Sequence, residues 1–225
     1  MRLGRHGETF KPGRIYIAPP DYHMLIGKKK MLVTKGAREN RYRPGIDPLF
    51  RSAAVSHGPA VIGVILTGML DDGTAGMAAI KQCGGITVVQ EPKDAAYPDM
   101  PQNALNNVKV DYCIAIAEMG SLLEKLTHQP RGEFKPIPRD VRTEAVIAER
   151  VLSDVAEVNS LGEQVPYNCP NCGGVLWEMN HPHVKDTAAI PAIQSRSPRC
   201  SPARRRRLKK LFGRRCACLK SGRIC

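Results

Sequence analysis

The sequence predicts an α/β fold built on a parallel, doubly wound sheet, and residues 61–90 carry that prediction. Val61–Thr67 is an apolar run rich in β-branched residues, without polar alternation, which is typical of a strand covered on both faces. From Thr74 the apolar spacing becomes helical, and Gly84-Gly85 ends the helix before a second strand at Ile86–Gln90. A strand, a helix and a strand of these lengths form a right-handed β-α-β unit.

Two adjacent carboxylates, Asp71 and Asp72, lie between the first strand of this unit and its helix. The carboxyl edge of a parallel sheet is where ligands and catalytic groups collect, so a functional role is one interpretation. The other is that one of the two aspartates caps the helix and interacts favourably with its dipole. The loop by itself leaves both open.

The segments before this unit predict a strand, a hairpin and a helix. Arg14–Pro19 is the strand, and Met24–Ile26 with Met31–Thr34 flank a Gly-Lys-Lys-Lys tip as a β-hairpin. Asp47–His57 predicts a helix with Asp47 as its N-cap and Pro48 in its first position.

The polar loop at residues 36–48 contains Arg41 and Arg43. Guanidinium groups at this spacing are able to bind a carboxylate in a forked geometry, although solvated arginines are the commoner case. After the central unit, the pattern predicts a helix at Pro101–Val108, a last strand at Asp111–Ala115 and an amphipathic helix at Glu118–Thr127. These elements complete a domain at residues 1–128.

Three further segments follow. Residues 129–163 read as a proline-rich linker and an amphipathic helix, Val141–Asn159. Residues 164–183 contain Cys169 and Cys172 in a Cys-Pro-Asn-Cys-Gly-Gly turn, which is half of a zinc ribbon. A structural zinc ion needs four ligands, and the expected second pair of cysteines is missing. Residues 184–225 are a basic, low-complexity segment predicted to be disordered.

The charge of the chain is concentrated at its end. Of 34 Lys and Arg, twelve lie in residues 196–225, which leaves 22 basic against 21 acidic residues elsewhere. Binding to nucleic acid is therefore a hypothesis for that segment alone, and the lack of interleaved aromatic residues makes it the least favoured one. With no apolar run of membrane-spanning length and no signal peptide, a cytoplasmic location is expected, and the cysteines do not indicate a disulfide framework.

Four segments in succession resemble the catalytic domain of the bacterial chemotaxis protein-glutamate methylesterases. They are RIYIAPPDYHML, ENRYRPGIDPLFRSAA, VIGVILTGMLDDGTAGMAAIKQCGG and MPQNAL, and together they cover about residues 14–127. The resemblance implies a Rossmann-like domain that hydrolyses glutamate γ-methyl esters on methyl-accepting chemoreceptors with a Ser-His-Asp triad and no cofactor. Some relatives of this stand-alone kind carry a C-terminal Cys-rich ribbon.

The resemblance also assigns roles to particular residues. Asp72, immediately before the glycine of the loop, matches the triad aspartate, which orients the histidine and stabilises its charged form. Met69 matches the active-site methionine on the oxyanion side. His23 matches a histidine found in many relatives that is not the triad member, so it is expected to be structural or to face substrate, with Arg41 and Arg43 as further candidates for substrate binding.

The sequence departs from the family pattern at the other two triad positions. The family's serine lies in a Gly-x-Ser-x-Gly-Gly turn and its histidine in a His-x-Pro context, both before the segment that matches Arg14, and neither is present here. We therefore expect a truncated sheet without its first βα units, and a chain with little esterase activity of its own. The alternative is a non-catalytic module that binds receptors or a chemotaxis methyltransferase.

Overall fold

A computed structural model describes residues 1–36, 38–40, 42–149, 162–168, 175–179 and 187–190 of the 225-residue chain. The chain divides into two compact units, Met1–Glu149 and Arg150–Cys225. The first unit contains seven β-strands and five α-helices among the described residues, and the second contains three β-strands. No helix in the described ranges is both long enough and apolar enough to span a bilayer.

The predicted parallel sheet is confirmed. Its three strands are β5 (Ile62–Ile65), β6 (Ile86–Gln90) and β7 (Tyr112–Ile114), in the order β5-β6-β7. Ile62 lies opposite Ile86, and Val88 lies opposite Tyr112. Because the three strands are parallel, their carboxyl ends lie at one edge of the sheet.

Helices cover both faces of this sheet, as the unbroken apolar strands predicted. On one face Val89 packs in a cluster with Met77 of α2 (Thr74–Gln82) and Ala104 of α3 (Asp99–Asn107). On the other face Val88 packs with Met119 and Leu126 of α4 (Ile116–His128). Neighbouring residues of β6 thus face opposite layers, as the two-residue period of a strand requires.

The hairpin and the first helix form a second layer on the α2 side. Strands β3 (His23–Ile26) and β4 (Met31–Thr34) pair antiparallel, as predicted. Helix α1 (Ile46–His57) packs on β3, where Ser52 Oγ accepts a hydrogen bond from the Ile26 N–H at 3.0 Å. The predicted first strand is shorter than expected, because β2 (Tyr16–Ile17) pairs only with β1 (Arg2–Leu3).

Two predictions about helix ends differ from the structure. Helix α1 begins at Ile46 with Gly45 as its N-cap, so Asp47 is not the cap and Pro48 is not in the first position. Helix α5 (Arg139–Glu149) belongs to the first unit, because its Val141 packs on Ala54 of α1. Residues 150–159 of the predicted helix lie outside the described residues.

The second unit contains an antiparallel sheet in the order β8-β9-β10, formed by Gly162–Asn168, Val175–Met179 and Thr187–Ile190. Strand β10 lies within residues 184–225, which the sequence predicted to be disordered, and it pairs with β9. Cys169 and Cys172, which belong to the connection between β8 and β9, and residues 191–225 lie outside the described residues.

Candidate active site

Asp72 lies at the carboxyl edge of the parallel sheet. Strand β5 ends at Ile65, residues 66–73 form the loop, and α2 begins at Thr74. The side chain of Asp72 is buried, with 5% of the residue exposed. The placement of Asp72 is thus the one that the β-loop-α reading predicted, while its catalytic role stays a prediction.

The Asp72 carboxylate caps a helix, but not the helix that follows it. The backbone N–H of Ile46 donates to Asp72 Oδ2 at 2.8 Å, and the N–H of Asp47 donates to Oδ1 at 3.3 Å. Both groups belong to the first turn of α1. Helix α2 begins after Gly73, which has no side chain to cap it. The φ of Gly73 is 98°, in the left-handed region.

The side chain of Asp47, in α1, in turn caps α2. Its Oδ1 accepts the backbone N–H of Gly76, in the first turn of α2, at 2.6 Å. Its Oδ2 accepts the side-chain amide of Asn40 at 2.7 Å. Helix α1 is therefore capped by Asp72 from the loop before α2, and α2 is capped by Asp47 from α1. The positive ends of the two helix dipoles meet at two buried carboxylates.

Burial dominates the acid–base behaviour of this pair. It raises the pKa of Asp47 to about 7, with Arg51 opposing the rise and Asp72 adding to it. Burial also raises the pKa of Asp72, and the hydrogen bonds from Ile46, Asp47 and Asn40 offset part of that change. The guanidinium of Arg51, itself 8% exposed, pairs with Glu39 and lies 3.3 Å from Glu144 Oε2.

The loop between β5 and α2 is held in an unusual backbone conformation. Leu70 has a φ of 70°, which is rare for a residue with a branched aliphatic side chain. Its N–H donates to Asp99 Oδ2 at 3.3 Å, and its carbonyl accepts the Asn103 amide at 2.6 Å. Met69, next to it, is 56% exposed. The loop backbone is thus fixed from α3, while the Met69 side chain lies at the surface.

Hydrogen bonds tie the ends of the three parallel strands together. Gln90, the last residue of β6, accepts the Thr67 N–H at 2.9 Å and donates to Asp94 Oδ2 at 2.9 Å. The same Asp94 oxygen accepts the N–H of Ile116, just beyond β7, at 2.8 Å. The Ile116 N–H and Gln90 lower the pKa of Asp94, which keeps this carboxylate charged.

His23 and Arg43 make hydrogen bonds elsewhere in the first unit. His23 is 3% exposed, and its Nδ1 accepts the N–H of Gly45 at 3.1 Å, so its ring supports the start of α1. Arg43 does bind a carboxylate, but an internal one: its Nε and Nη2 lie 3.0 and 2.7 Å from Asp21 Oδ1. Arg41 lies outside the described residues. We place neither His23 nor Arg43 at an open surface for substrate.

Sequence reasoning missed the roles of three polar residues around the pair formed by Asp47 and Asp72. Asn40 and the side-chain role of Asp47 depend on contacts across 32 and 29 positions of the chain, which no local pattern reveals. Arg51 left a weak signal, because it is a lone cation in the otherwise uncharged run between Pro48 and Val55.

Comparisons with known proteins give the chain a family and relatives. The family model described as CheB methylesterase matches residues 1–123. A putative protein-glutamate methylesterase/protein-glutamine glutaminase of Leptospira interrogans is 42% identical over 120 residues, 53% of this chain and 62% of the relative. The protein-glutamate methylesterase/protein-glutamine glutaminase 1 of Geobacter metallireducens is 37% identical over 123 residues, which is 34% of its length.

A solved structure shows the same fold. The crystal structure of the Thermotoga maritima CheB methylesterase catalytic domain matches with a TM-score of 0.54 and 30% identity, over 55% of this chain and 68% of that one. Fold and sequence together define an α/β protein with a parallel sheet. The chain belongs to the CheB methylesterase family. It spans about three fifths of the Leptospira relative and about a third of the Geobacter one.

Proposed function

We propose that this chain provides the aspartate side of an esterase site for glutamate γ-methyl esters on chemoreceptors. The observation that carries the proposal is the buried Asp72 carboxylate at the carboxyl edge of β5, held by two backbone N–H groups of α1. In a Ser-His-Asp triad the serine attacks the ester carbonyl and the histidine moves the proton. The aspartate holds the imidazole in the productive tautomer and stabilises its cation.

The proposal includes low activity for the chain by itself. The sequence contains no Gly-x-Ser-x-Gly turn, and the buried His23 accepts a bond from Gly45. Without the nucleophile and the base, only residual catalysis from binding and from oxyanion stabilisation remains. We infer that Met69 contributes to the oxyanion side once the serine-bearing segment is in place, because it lies exposed in the same loop as Asp72.

Methanol release from a methylated chemoreceptor tests the proposal. We expect little release with this chain alone, and release when the chain is extended before Arg14 by a family segment with the Gly-x-Ser-x-Gly-Gly turn and the histidine. In the extended chain Asp72→Asn should lower the rate by about 10⁴-fold, because it disturbs the histidine tautomer. Asp71→Asn is the matched control and should leave most of the rate. The reverse order would assign the role to Asp71.

A second candidate is a receptor-binding module without catalysis. Leu66, Met69, Tyr97 and Ile116 are large hydrophobic residues, 39–56% exposed, that follow the ends of the three parallel strands. Exposed apolar groups at one edge are typical of protein docking sites. Co-sedimentation with receptor, without methanol release from the extended chain, would favour this candidate. A methyltransferase of the same pathway is the other partner to test.

For the C-terminal unit we propose a structural zinc ion with Cys169 and Cys172 as two of its ligands. The support is the Cys-x-x-Cys-Gly-Gly sequence and its position between two paired strands, β8 and β9.

The proposed site of action of the whole chain is the cytoplasm.

A further inference from the structure

We propose that Asn40 and Asp47 are positioning residues that orient the Asp72 carboxylate and keep Oδ2 available to one further donor. The inference rests on the function proposed above, in which that donor is an imidazole N–H. It assigns the orientation of Asp72 to two side chains in the segment before and within α1, rather than to the loop that carries Asp72.

Asn40 is built to bridge the two carboxylates. Its side-chain amide donates to Asp47 Oδ2 at 2.7 Å and approaches Asp72 Oδ1 at 3.4 Å. Its backbone φ of 47° lies in the left-handed region, which asparagine adopts more readily than most residues. A turn fixes that conformation, because the Tyr42 N–H donates to the Glu39 carbonyl at 2.8 Å.

Asp47 contacts Asp72 in two ways. Its own N–H donates to Asp72 Oδ1, and its side chain holds the Asn40 amide that lies against the same oxygen. The bond from Gly76 at 2.6 Å locks the Asp47 side chain in turn. A carboxylate accepts about four hydrogen bonds. Among the described residues Oδ1 receives two donors and Oδ2 receives one, from Ile46.

Other charged or titratable groups surround this pair, so the test must separate them from Asn40. Arg51 and Glu39 act on Asp47, and Glu144 of α5 acts through Arg51. His23 of β3 reaches the preceding N–H at Gly45, and Asp71 precedes Asp72 in the loop. The Asn40 amide, by contrast, bonds an oxygen of each carboxylate, and this bridge is what the test must isolate.

The experiment follows the carboxyl ¹³C resonance of Asp72 through a pH titration of the full chain, assigned by its loss in Asp72→Asn. Asn40→Leu removes both amide bonds and keeps the number and branching of the side-chain heavy atoms. We expect it to raise the pKa of Asp72 by about one pH unit. Asn103→Leu is the matched control, because Asn103 is also half-buried and bonds the same loop at Leu70. It should lower stability without moving the Asp72 titration.

A second variant keeps the test decisive if Asn40→Leu does not fold. Asp47→Asn retains an acceptor for Gly76 but turns an amide toward that of Asn40, so it should displace Asn40 from Asp72 Oδ1 and raise the pKa of Asp72. Unchanged titration in both variants, or an equal shift in Asn103→Leu, would overturn the inference. Because the titration needs no hydrolysis, it decides the inference even if the proposed function fails. In the extended chain, Asn40→Leu should also move the pH profile of methanol release.

Discussion

Two buried carboxylates in close proximity are costly unless donors surround them. Here backbone N–H groups from two helices and the Asn40 amide supply those donors, because Asp72 caps α1 and Asp47 caps α2. At the residue scale the site is therefore a structural feature as well as a candidate for catalysis. Of the two interpretations that the sequence left open, the structure shows capping at Asp72, with α1 rather than α2 as the capped helix, and the functional role stays a prediction.

The raised pKa of Asp47 predicts a pH-dependent stability. A group whose pKa is about 7 in the folded chain and 3.8 when unfolded stabilises the fold below pH 3.8 and loses that contribution as the pH rises to 7. The free energy of unfolding should fall with a slope of up to about 1.4 kcal/mol per pH unit in that window. Urea unfolding between pH 4.5 and about pH 8 measures the slope. Asp47→Asn should flatten it, and an identical slope in this variant would contradict the assignment.

Leu70 predicts a stabilising substitution within the candidate site. Leu70→Gly removes the penalty of a φ of 70°, at the cost of greater freedom in the unfolded chain, and should raise stability by about 0.5–1 kcal/mol. The midpoint of urea unfolding measures it. Leu66→Gly is the control in the same loop: Leu66 has no positive φ, so that variant should lose stability. A loss in Leu70→Gly would show that its side-chain packing outweighs the backbone strain.

At the element scale, the approach of α1 to α2 depends on a glycine. A Cβ on Gly76 would lie 2.5 Å from Phe50 Cβ and 3.1 Å from Asp47 Cα. Two helices that cap each other must come this close at their first turns. The close contact between α1 and α2 that brings the two carboxylates together therefore also requires glycine at position 76.

Gly76→Ala should therefore destabilise the chain by about 2–3 kcal/mol, since the clash involves atoms close to the backbone of α1. Gly120→Ala is the matched control, because a Cβ there meets nothing within 4 Å and Gly120 lies inside α4. It should stabilise the chain by about 0.5–1 kcal/mol. Thermal unfolding of both variants measures the difference, and similar losses in the two would contradict the packing argument.

Local signals predicted the elements well and their caps poorly. The change from a strand to a helical period places β5, α2 and β6 within a few residues of their observed bounds, since periodicity is a property of consecutive residues. Asp47 looked like an N-cap because it precedes a proline, yet its carboxylate bonds Gly76, 29 positions away. Contacts between distant turns are set by how helices pack, and no single segment contains that information.

At the scale of the whole molecule, domain boundaries were the hardest to predict. The prolines of residues 129–138 indicated a linker, but Phe134 lies against Gly58, with a Gly58 Cβ position 3.3 Å from its ring, and α5 packs on α1. The basic composition after residue 184 likewise concealed strand β10. The composition of a segment indicates how well water solvates it. A few apolar residues are enough for a segment to pack on a folded unit, and composition does not reveal them.

The second unit offers an independent probe of the proposed zinc ion, because Trp177 of β9 is the single tryptophan in the sequence. If Cys169 and Cys172 hold zinc, EDTA should change the emission of Trp177, and Cys169→Ser should do the same. Cys113→Ser, at an exposed cysteine of the first unit, should leave the emission and the metal content unchanged. Zinc-free protein with emission insensitive to EDTA would contradict the proposal.

Strand β5 has a consequence for how a complete catalytic centre is assembled. Within the described part of the chain it hydrogen-bonds to β6 alone, and because β6 Ile86 donates to Val61, the peptide groups of Ile62 and Val64 point the other way. A further strand that paired with β5 in parallel would end at the same edge of the sheet as Asp72. The residue that followed such a strand would therefore lie at the edge of the sheet that carries Asp72.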